Sequence, residues 1–340
     1  MKRYGNIFNK IINIDNIRLA HKKARRDKSH YVEVKMVDKD VDHYARKIQE
    51  MLINETYEVS DYKLSIINDK GKERKLMKLP YYPDRIIQWA IMLQIEDIFL
   101  KKFIDQTCAS IPKRGIHRAY GFVQKYLRDE GASKYCLKMD VRHFYENIDK
   151  TILKSKLDKT FKDEKLLRLL YKIIDSYPEK KGVPIGSYLS QYFGNFYLND
   201  LDHYIKEDLH CEKYVRYMDD MVIMGSNKGK LHEIRCKIEN YLNKELKLEL
   251  KDNYQVFPTR IRGIDFVGYR FFGDYALLRK STCKKFKRKM NKISKKEFIS
   301  YDDYCSINSY KGWLKYCNSY RLTDKYLGGL DDKIEKCDWV

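Results

Sequence analysis

The segment from Lys213 to Met224 reads KYVRYMDDMVIM and places two adjacent aspartates between two apolar runs. This pattern predicts a strand, a tight turn and a second strand, with Asp219 and Asp220 at the turn. Taken alone, an aspartate pair in a turn is most often a solvated turn or a helix cap. The pair becomes informative only if a further acidic residue meets it in the fold.

A second predicted strand ends in a matching acidic residue. The run YCLKMD at residues 135–140 is short and apolar and ends at Asp140. If folding brings Asp140 beside Asp219 and Asp220, the three carboxylates repel one another unless cations join them. Mg²⁺ is the expected cofactor, because this hard ion is held by carboxylates and substrate phosphates; two ions would serve nucleotidyl transfer, with Mn²⁺ able to substitute.

The composition predicts an ordered chain with a polyanionic partner. The 340 residues include 69 Lys and Arg against 48 Asp and Glu, a formal net charge of +21, and 43% of them are hydrophobic. The length favours two or three packed subdomains, and the charge favours nucleic acid. Without an apolar run of about 20 residues or a signal-peptide pattern, we expect a cytoplasmic location and no membrane contact. The eight cysteines form no C-x-x-C pair and are expected to be reduced thiols.

Helices and a hairpin are predicted on both sides of the acidic strands. They are a helical lead-in with periodic apolar residues from Val41 to Leu52, a hairpin with a basic second strand from Lys63 to Pro80, a buried helix from Ile86 to Leu100, a helix from Leu231 to Leu246 that packs on the sheet, and a basic amphipathic helix from Arg279 to Lys296.

Three motifs, in their order and spacing, resemble those of the reverse transcriptase family. Residues Asp140 to Ile148 are similar to its first catalytic motif, Gly182 to Gln191 (GVPIGSYLSQ) to its second, and Tyr217 to Asp220 to its third. The resemblance covers roughly Arg74 to Tyr269. It includes PDRIIQ at 83–88 and KRGIHRA at 113–119, which are similar to fingers motifs of bacterial members, and GIDFVGY at 263–269, which is similar to the strand before the thumb.

The resemblance implies an α+β, right-hand polymerase fold with fingers, an antiparallel-sheet palm and a short helical thumb. The N-terminal helical region and fingers would occupy residues 1–134, the palm 135–275 with fingers and palm interleaved, and the basic thumb 276–340. The implied activity is RNA-directed DNA polymerisation, which copies a template RNA into cDNA. Its partners would be dNTPs, the template RNA and the RNA/cDNA duplex.

The resemblance also implies roles for individual residues. Asp140, Asp219 and Asp220 would be catalytic and hold the metal ions, Tyr145 would exclude a 2′-hydroxyl, and Ile185 and Gly186 would line the nucleotide pocket. The alternatives are a core tyrosine for Tyr145 and a plain helix-start glycine for Gly186. For the other candidates, solvated charge or core packing are open alternatives. These candidates are Arg74 and Lys113 for the triphosphate, Ser190 and Gln191 for template or primer, Lys284, Lys285 and Arg288 of the basic helix for the template–primer backbone, and Lys251 as a possible general acid.

The middle motif is most similar to that of diversity-generating retroelements. Residues 185–191 read IGSYLSQ where many reverse transcriptases have Gln-Gly-x-x-x-Ser-Pro. The subgroup makes errors at template adenines and works with a small basic accessory protein. An apolar Ile185 beside the incoming nucleotide removes a hydrogen-bonding group, which favours looser pairing. The alternatives are a retron-like or phage-defence reverse transcriptase that makes a dedicated cDNA, and a binding protein whose carboxylates are relics.

Overall fold

The computed structural model describes residues 3–69, 72–184 and 186–330, with the backbone alone described for 67–69 and 72–75. The chain begins with short helices that pack around one long buried helix. In chain order the elements are α1 (Phe8–Ile11), α2 (Ile14–Ala24), α3 (Val32–Lys39), α4 (Val41–Ile53), the hairpin strands β1 (Lys63–Asp69) and β2 (Lys72–Lys78), an irregular turn (Tyr81–Arg85) in which Tyr82 is extended, and α5 (Ile86–Lys102). Helix α5 is the centre of this region, since Ile87, Ile91 and Ile95 are completely buried.

Five strands form the central sheet, in the order β3-β5-β6-β4-β7. They are β3 (Thr107–Cys108), β4 (Tyr135–Asp140), β5 (Tyr214–Tyr217), β6 (Asp220–Gly225) and β7 (Gln255–Pro258). The sheet is antiparallel except at its edge, where the two residues of β3 pair in parallel with β5. The predicted strand, turn and strand around Asp219 are therefore confirmed as β5 and β6.

Helices fill the connections between these strands. They are α6 (Ile116–Leu127), α7 (Phe144–Asn147), α8 (Lys150–Thr160), α9 (Glu164–Asp175), α10 (Tyr188–Tyr197), α11 (Asn199–His203), a π-helical turn (Tyr204–Asp208), α12 (Lys228–Glu245) and α13 (Thr259–Arg262). Side chains along a strand point alternately to the two faces of the sheet, and apolar clusters cover both faces. Leu137 and Ile223 belong to the apolar cluster that contains α5 and α12, whereas Cys136 and Val222 belong to a second cluster that contains α6.

The second cluster extends into a small C-terminal unit. A three-stranded antiparallel sheet, β8 (Ile264–Phe266), β9 (Tyr269–Phe272) and β10 (Tyr275–Leu278), precedes α14 (Lys280–Ser294), α15 (Tyr301–Leu314) and α16 (Tyr320–Leu327). Helix α14 is amphipathic as predicted, since Phe286, Met290 and Ile293 are buried. None of the helices in the described ranges is long and apolar enough to cross a membrane.

The sequence is wrong about one strand and silent about one turn. The single strand expected over Gly263–Tyr269 is two strands, β8 and β9, because Val267 and Gly268 have φ values of 41° and 89° and reverse the chain. The irregular turn before α5, in which Tyr82 is extended, was likewise not predicted. The helices and the hairpin expected from periodicity are present, and the seven cysteines within the described ranges form no disulfide.

Candidate active site

Strand register brings the three predicted aspartates to one end of the central sheet. Asp140 and Asp220 are paired residues of β4 and β6. Asp219 lies in the turn just before β6, where its carbonyl accepts a hydrogen bond of 3.3 Å from the amide of Val141. All three side chains are half-buried. The two acidic strand ends of the sequence therefore form one cluster.

The electrostatics of the cluster show an excess of negative charge. Burial, reinforced by the neighbouring Asp140 carboxylate, raises the pKa of Asp219 to about 7. Burial also raises the pKa of Asp220 to about 6, even though Lys138 acts in the opposite direction. Both shifts mean that the folded protein holds these carboxylates ionised at a cost, which a bound cation would remove.

Two lysines partly offset this charge. The Nζ atom of Lys251 donates a 2.6 Å hydrogen bond to Oδ1 of Asp140. The Nζ atom of Lys138 lies 3.5 Å from Oδ2 of Asp220 and donates to the carbonyl of Asp265. In the described residues no three acidic, histidine or cysteine side chains are already arranged as a metal cage. The lysines hold two of the carboxylates in ion pairs instead.

The donor set nevertheless fits a divalent cation. The Oδ1 atom of Asp220 is buried and has no hydrogen-bond partner. A buried carboxylate oxygen without a partner is costly, and carboxylate oxygens are the ligands that Mg²⁺ prefers. Asp140, Asp219 and Asp220 are thus the side chains of this end of the sheet that could hold such an ion.

Tyr145 lies directly against the acidic turn. Helix α7 carries it, and its hydroxyl donates a 3.4 Å hydrogen bond to the sulfur of Met218. Burial, and then the nearby Asp219 carboxylate, raises the pKa of Tyr145, so the phenol is neutral. Tyr145, for which the resemblance implies the exclusion of a 2′-hydroxyl, therefore contacts Met218, the residue before Asp219.

The second motif is tied to the first by backbone hydrogen bonds. The amide of Gly182 donates to the carbonyl of Ile148 at 2.7 Å, and the amide of Val183 to that of Tyr145 at 3.0 Å. Gly182 has a φ of +92°, and a Cβ atom there would lie 2.9 Å from the carbonyl oxygen of Glu146. Only glycine allows this approach. Gly186 also has a positive φ, of +112°.

The rest of the second motif is anchored on α5. The hydroxyl of Ser187 donates to Oε1 of Gln88 at 2.8 Å, and the Tyr188 ring stacks on Trp89 with centroids 4.2 Å apart. Ser190, in α10, is buried and Gln191 is half-buried. Ile185 lies outside the described residues.

The remaining candidates belong to the hairpin, to the loop between β3 and α6, and to helix α14. Lys113 is exposed at a left-handed position, with a φ of 63°, in the loop between β3 and α6. Arg74 is in β2, opposite Ile67, and its side chain lies outside the description. Lys284, Lys285 and Arg288 are exposed on α14. The described side chains of this group form no ion pair with the three aspartates.

Two features of the site were missed by the sequence analysis. Lys138 could have been found, because it lies two residues before Asp140 on the same strand and so shares its face. Arg216 is completely buried and donates to the carbonyl of Met218 at 2.8 Å. Nothing local in the sequence distinguishes Arg216 from a solvated arginine, since its partners come from distant elements.

Comparisons with known proteins identify the family of the chain. The model of the family "Reverse transcriptase (RNA-dependent DNA polymerase)" matches residues 41–271. Among curated relatives, the group II intron-encoded protein LtrA of Lactococcus lactis subsp. cremoris is 22% identical, over 71% of this chain and 51% of the relative. Protein YkfC of Escherichia coli is 25% identical, over 60% of this chain and 65% of the relative. The chain thus spans between half and two thirds of these two relatives.

Solved structures support the fold. A telomerase from Candida albicans in complex with a fragment of telomeric RNA matches with a TM-score of 0.50 and 12% identity, over 70% of this chain and 51% of the other. An apo telomerase from Candida tropicalis matches with the same TM-score, 0.50, and 13% identity, over 68% and 50%. These matches confirm the right-hand polymerase fold. With the family model covering more than half of its length, the chain belongs to the reverse transcriptase family.

Proposed function

We propose that the protein is an RNA-directed DNA polymerase that extends a primer along an RNA template. One observation carries the proposal: Asp140, Asp219 and Asp220 converge at the end of the sheet, with a buried unpartnered oxygen on Asp220 and Tyr145 beside the turn. The right-hand fold and family membership support the same chemistry. The net charge of +21 favours a nucleic acid partner.

Asp140, Asp219 and Asp220 would hold Mg²⁺, or Mn²⁺ in its place. When bound, such ions activate a 3′-hydroxyl and neutralise charge on the transferred phosphate. The ring of Tyr145 would exclude a ribose 2′-hydroxyl from the nucleotide pocket. Lys251 is poised as a proton donor to the leaving pyrophosphate, because its amine already lies at a catalytic carboxylate.

We propose further contacts with the nucleotide, the template and the primer from the positions of the residues in the chain. Gly186 and Ile185 would line the nucleotide pocket, Arg74 and Lys113 would meet the triphosphate, and Ser190 and Gln191 would face template or primer. The exposed lysines and arginine of α14 would follow the RNA/cDNA duplex backbone. With residues 1–134 as helical region and fingers, 135–275 as palm and 276–340 as thumb, the duplex would lie between fingers and thumb.

The activity is tested by primer extension with the purified chain, an RNA template, a DNA primer, Mg²⁺ and dNTPs. Full-length cDNA is expected from the native protein and none from the Asp219→Asn/Asp220→Asn variant. Asp302→Asn, which changes an exposed residue of α15, is the control for loss of an acidic side chain. If the native chain makes no product even when the RNA and proteins encoded by neighbouring genes are supplied, the proposal is contradicted. That outcome favours a binding protein.

The finer proposal is that the enzyme belongs to a diversity-generating retroelement. It rests on the IGSYLSQ variant at 185–191, and it includes a small basic accessory protein as partner. Sequencing of the cDNA is expected to find errors concentrated at template adenines, and Ile185→Gln is expected to reduce them. Faithful copying of one dedicated RNA favours the retron-like or phage-defence alternative.

A further inference from the structure

We propose that Arg216 is a positioning residue that sets the conformation of the turn at Met218 and, through it, the sugar gate of Tyr145. The inference rests on the proposed polymerase function and concerns a residue that never touches substrate. It starts from an ion pair in the interior of the palm. Both members of that pair, Arg216 and Asp202, have side chains with 0% exposure.

The pair belongs to a buried network of hydrogen bonds. The Nε atom of Arg216 donates to Oδ1 of Asp202 at 2.7 Å, and a second guanidinium nitrogen reaches Oδ2. The hydroxyl of Tyr214 donates to Oδ1 of Asp202 at 2.6 Å, and that of Thr107 to Oδ2 at 2.7 Å. Asp202 comes from α11 and the others from β3 and β5, so three elements meet at one carboxylate.

Stability alone does not explain this arrangement. Removing two charges from water is costly, and apolar residues of similar volume often replace a buried ion pair without loss of stability. A guanidinium offers something that an apolar side chain lacks, namely several donors in a rigid planar fork. Two sides of the Arg216 fork bind Asp202, which leaves the remaining nitrogen directed elsewhere.

That nitrogen donates a hydrogen bond to the backbone of the turn that carries Asp219. The Nη1 atom of Arg216 donates to the carbonyl of Met218 at 2.8 Å and to Oδ1 of Asn195 at 3.1 Å. Met218 has a φ of 54°, a left-handed conformation that a non-glycine residue adopts only when its surroundings impose it. The amide of Met218 is held too, because it donates to the carbonyl of Cys108 at 3.3 Å.

The turn transmits this constraint to two functional groups. The peptide that begins at the Met218 carbonyl ends at Asp219, so its orientation sets where the Asp219 side chain begins. The sulfur of Met218 accepts the hydrogen bond from Tyr145 at 3.4 Å. When no hydrogen bond holds the Met218 carbonyl, the turn can relax from its left-handed conformation. The Met218 sulfur then moves, and Tyr145 loses the hydrogen bond that fixes the position of its ring. The geometry therefore points to a loss of discrimination between dNTPs and rNTPs.

The test uses Arg216→Lys in the full chain. Lysine keeps the charge that balances Asp202, but a compact ammonium cannot make the Asp202 and Met218 contacts in the same geometry. The ratio of kcat/KM for a dNTP to that for the matching rNTP is expected to fall about ten-fold, as for the loss of one hydrogen bond from a charged donor. Tyr214→Phe is the matched control. It removes one equally buried bond to Asp202, leaves the Met218 contact intact, and is expected to keep the native ratio.

A second readout does not depend on activity. In protein labelled with ¹³C-methyl methionine, the Met218 signal is assigned by Met218→Leu. Arg216→Lys is expected to shift that signal and Tyr214→Phe to leave it in place. If the lysine variant does not fold, the apolar pair Asp202→Leu/Arg216→Met replaces it, because it removes both charges together.

The outcomes separate this inference from the proposed function. A native discrimination ratio or an unshifted Met218 signal in the Arg216 variant overturns it, as does an equal loss in Tyr214→Phe. If the native chain makes no cDNA at all, the proposed function fails, and the Met218 signal alone decides whether Arg216 sets the turn.

Discussion

The side-chain amine of Lys251 donates a 2.6 Å hydrogen bond to the carboxylate of Asp140, although 111 residues separate them in the chain. The backbone supports the contact, because the amide of Lys251 donates to the carbonyl of Asp140 at 2.9 Å. Both side chains are about one third exposed, so the pair contributes little to stability. We propose that the contact has a chemical role instead, because it lies at the proposed metal site.

Lys251→Met is expected to slow nucleotide addition about 100-fold, the size typical of a lost general acid. Single-turnover extension with one dNTP measures the rate. The control is Lys247→Met, because Lys247 also pairs with an aspartate, Asp149 at 3.1 Å, outside the acidic cluster. A native rate in Lys251→Met, or an equal loss in Lys247→Met, contradicts the proposed role.

Asp219→Asn is expected to stabilise the metal-free protein at pH 8 and to change little at pH 4. Because the folded-state pKa of Asp219 is raised to about 7, its contribution to stability is fully present below the unfolded value near 4 and is lost as the pH rises through 7. The asparagine variant escapes that loss. Thermal unfolding in EDTA at both pH values measures it, with roughly 2 °C expected for each kcal/mol.

Adding Mg²⁺ tests whether the Asp219 carboxylate binds the ion or whether Asp219→Asn changes the melting temperature only through packing. The native protein is expected to gain melting temperature with Mg²⁺ at pH 8, because the ion binds only the folded state. Asp219→Asn is expected to gain much less. An identical gain in both proteins shows that Asp219 is not a ligand.

Lys138→Met is expected to tighten the binding of Mn²⁺ several-fold. The amine of Lys138 lies 3.5 Å from the Asp220 carboxylate, so it competes with a cation for the same charge. Electron paramagnetic resonance measures free Mn²⁺ directly, without substrate. Lys134→Met, which changes an exposed lysine just before β4, is the control. Weaker binding in Lys138→Met shows that the amine positions Asp220 and does not compete.

Asp303→Asn is expected to destabilise the protein at pH 7 by about 1–3 kcal/mol, because a buried carboxylate loses charge-assisted bonds. The Asp303 side chain is 3% exposed and pairs with Lys289 and Lys296. Burial opposes these pairs and the bond from Ser300, yet the pKa of Asp303 is held well below its usual range. The stabilisation is therefore present above pH 4 and is lost as the pH falls toward the folded-state pKa.

Urea unfolding at pH 7 and pH 3 checks this prediction, since the gap between the native and variant proteins should narrow at the lower pH. Asp302→Asn is the control, because Asp302 is the exposed neighbour in the same first turn of α15. If the two substitutions lower the free energy of unfolding equally, the loss comes from helix capping and not from the buried ion pairs.

The sequence by itself determined the elements and the identity of the acidic residues. Periodicity predicted α4, α12 and α14, alternation predicted the hairpin, and the apolar runs around YMDD predicted β5 and β6. These signals are local, because a helix or strand exposes its pattern within a dozen residues. The same locality explains the error at β8 and β9, where a turn at Val267 lacks a standard turn residue in its first position.

Only the tertiary structure decided which charges meet. The pairing of Lys251 with Asp140, the approach of Lys138 to Asp220 and the burial of Arg216 against Asp202 all depend on how separate elements pack. A lysine or arginine has the same local signature whether it is solvated or buried in an ion pair. Its role is set by the partners that folding supplies, and those partners come from strands and helices far away in the chain.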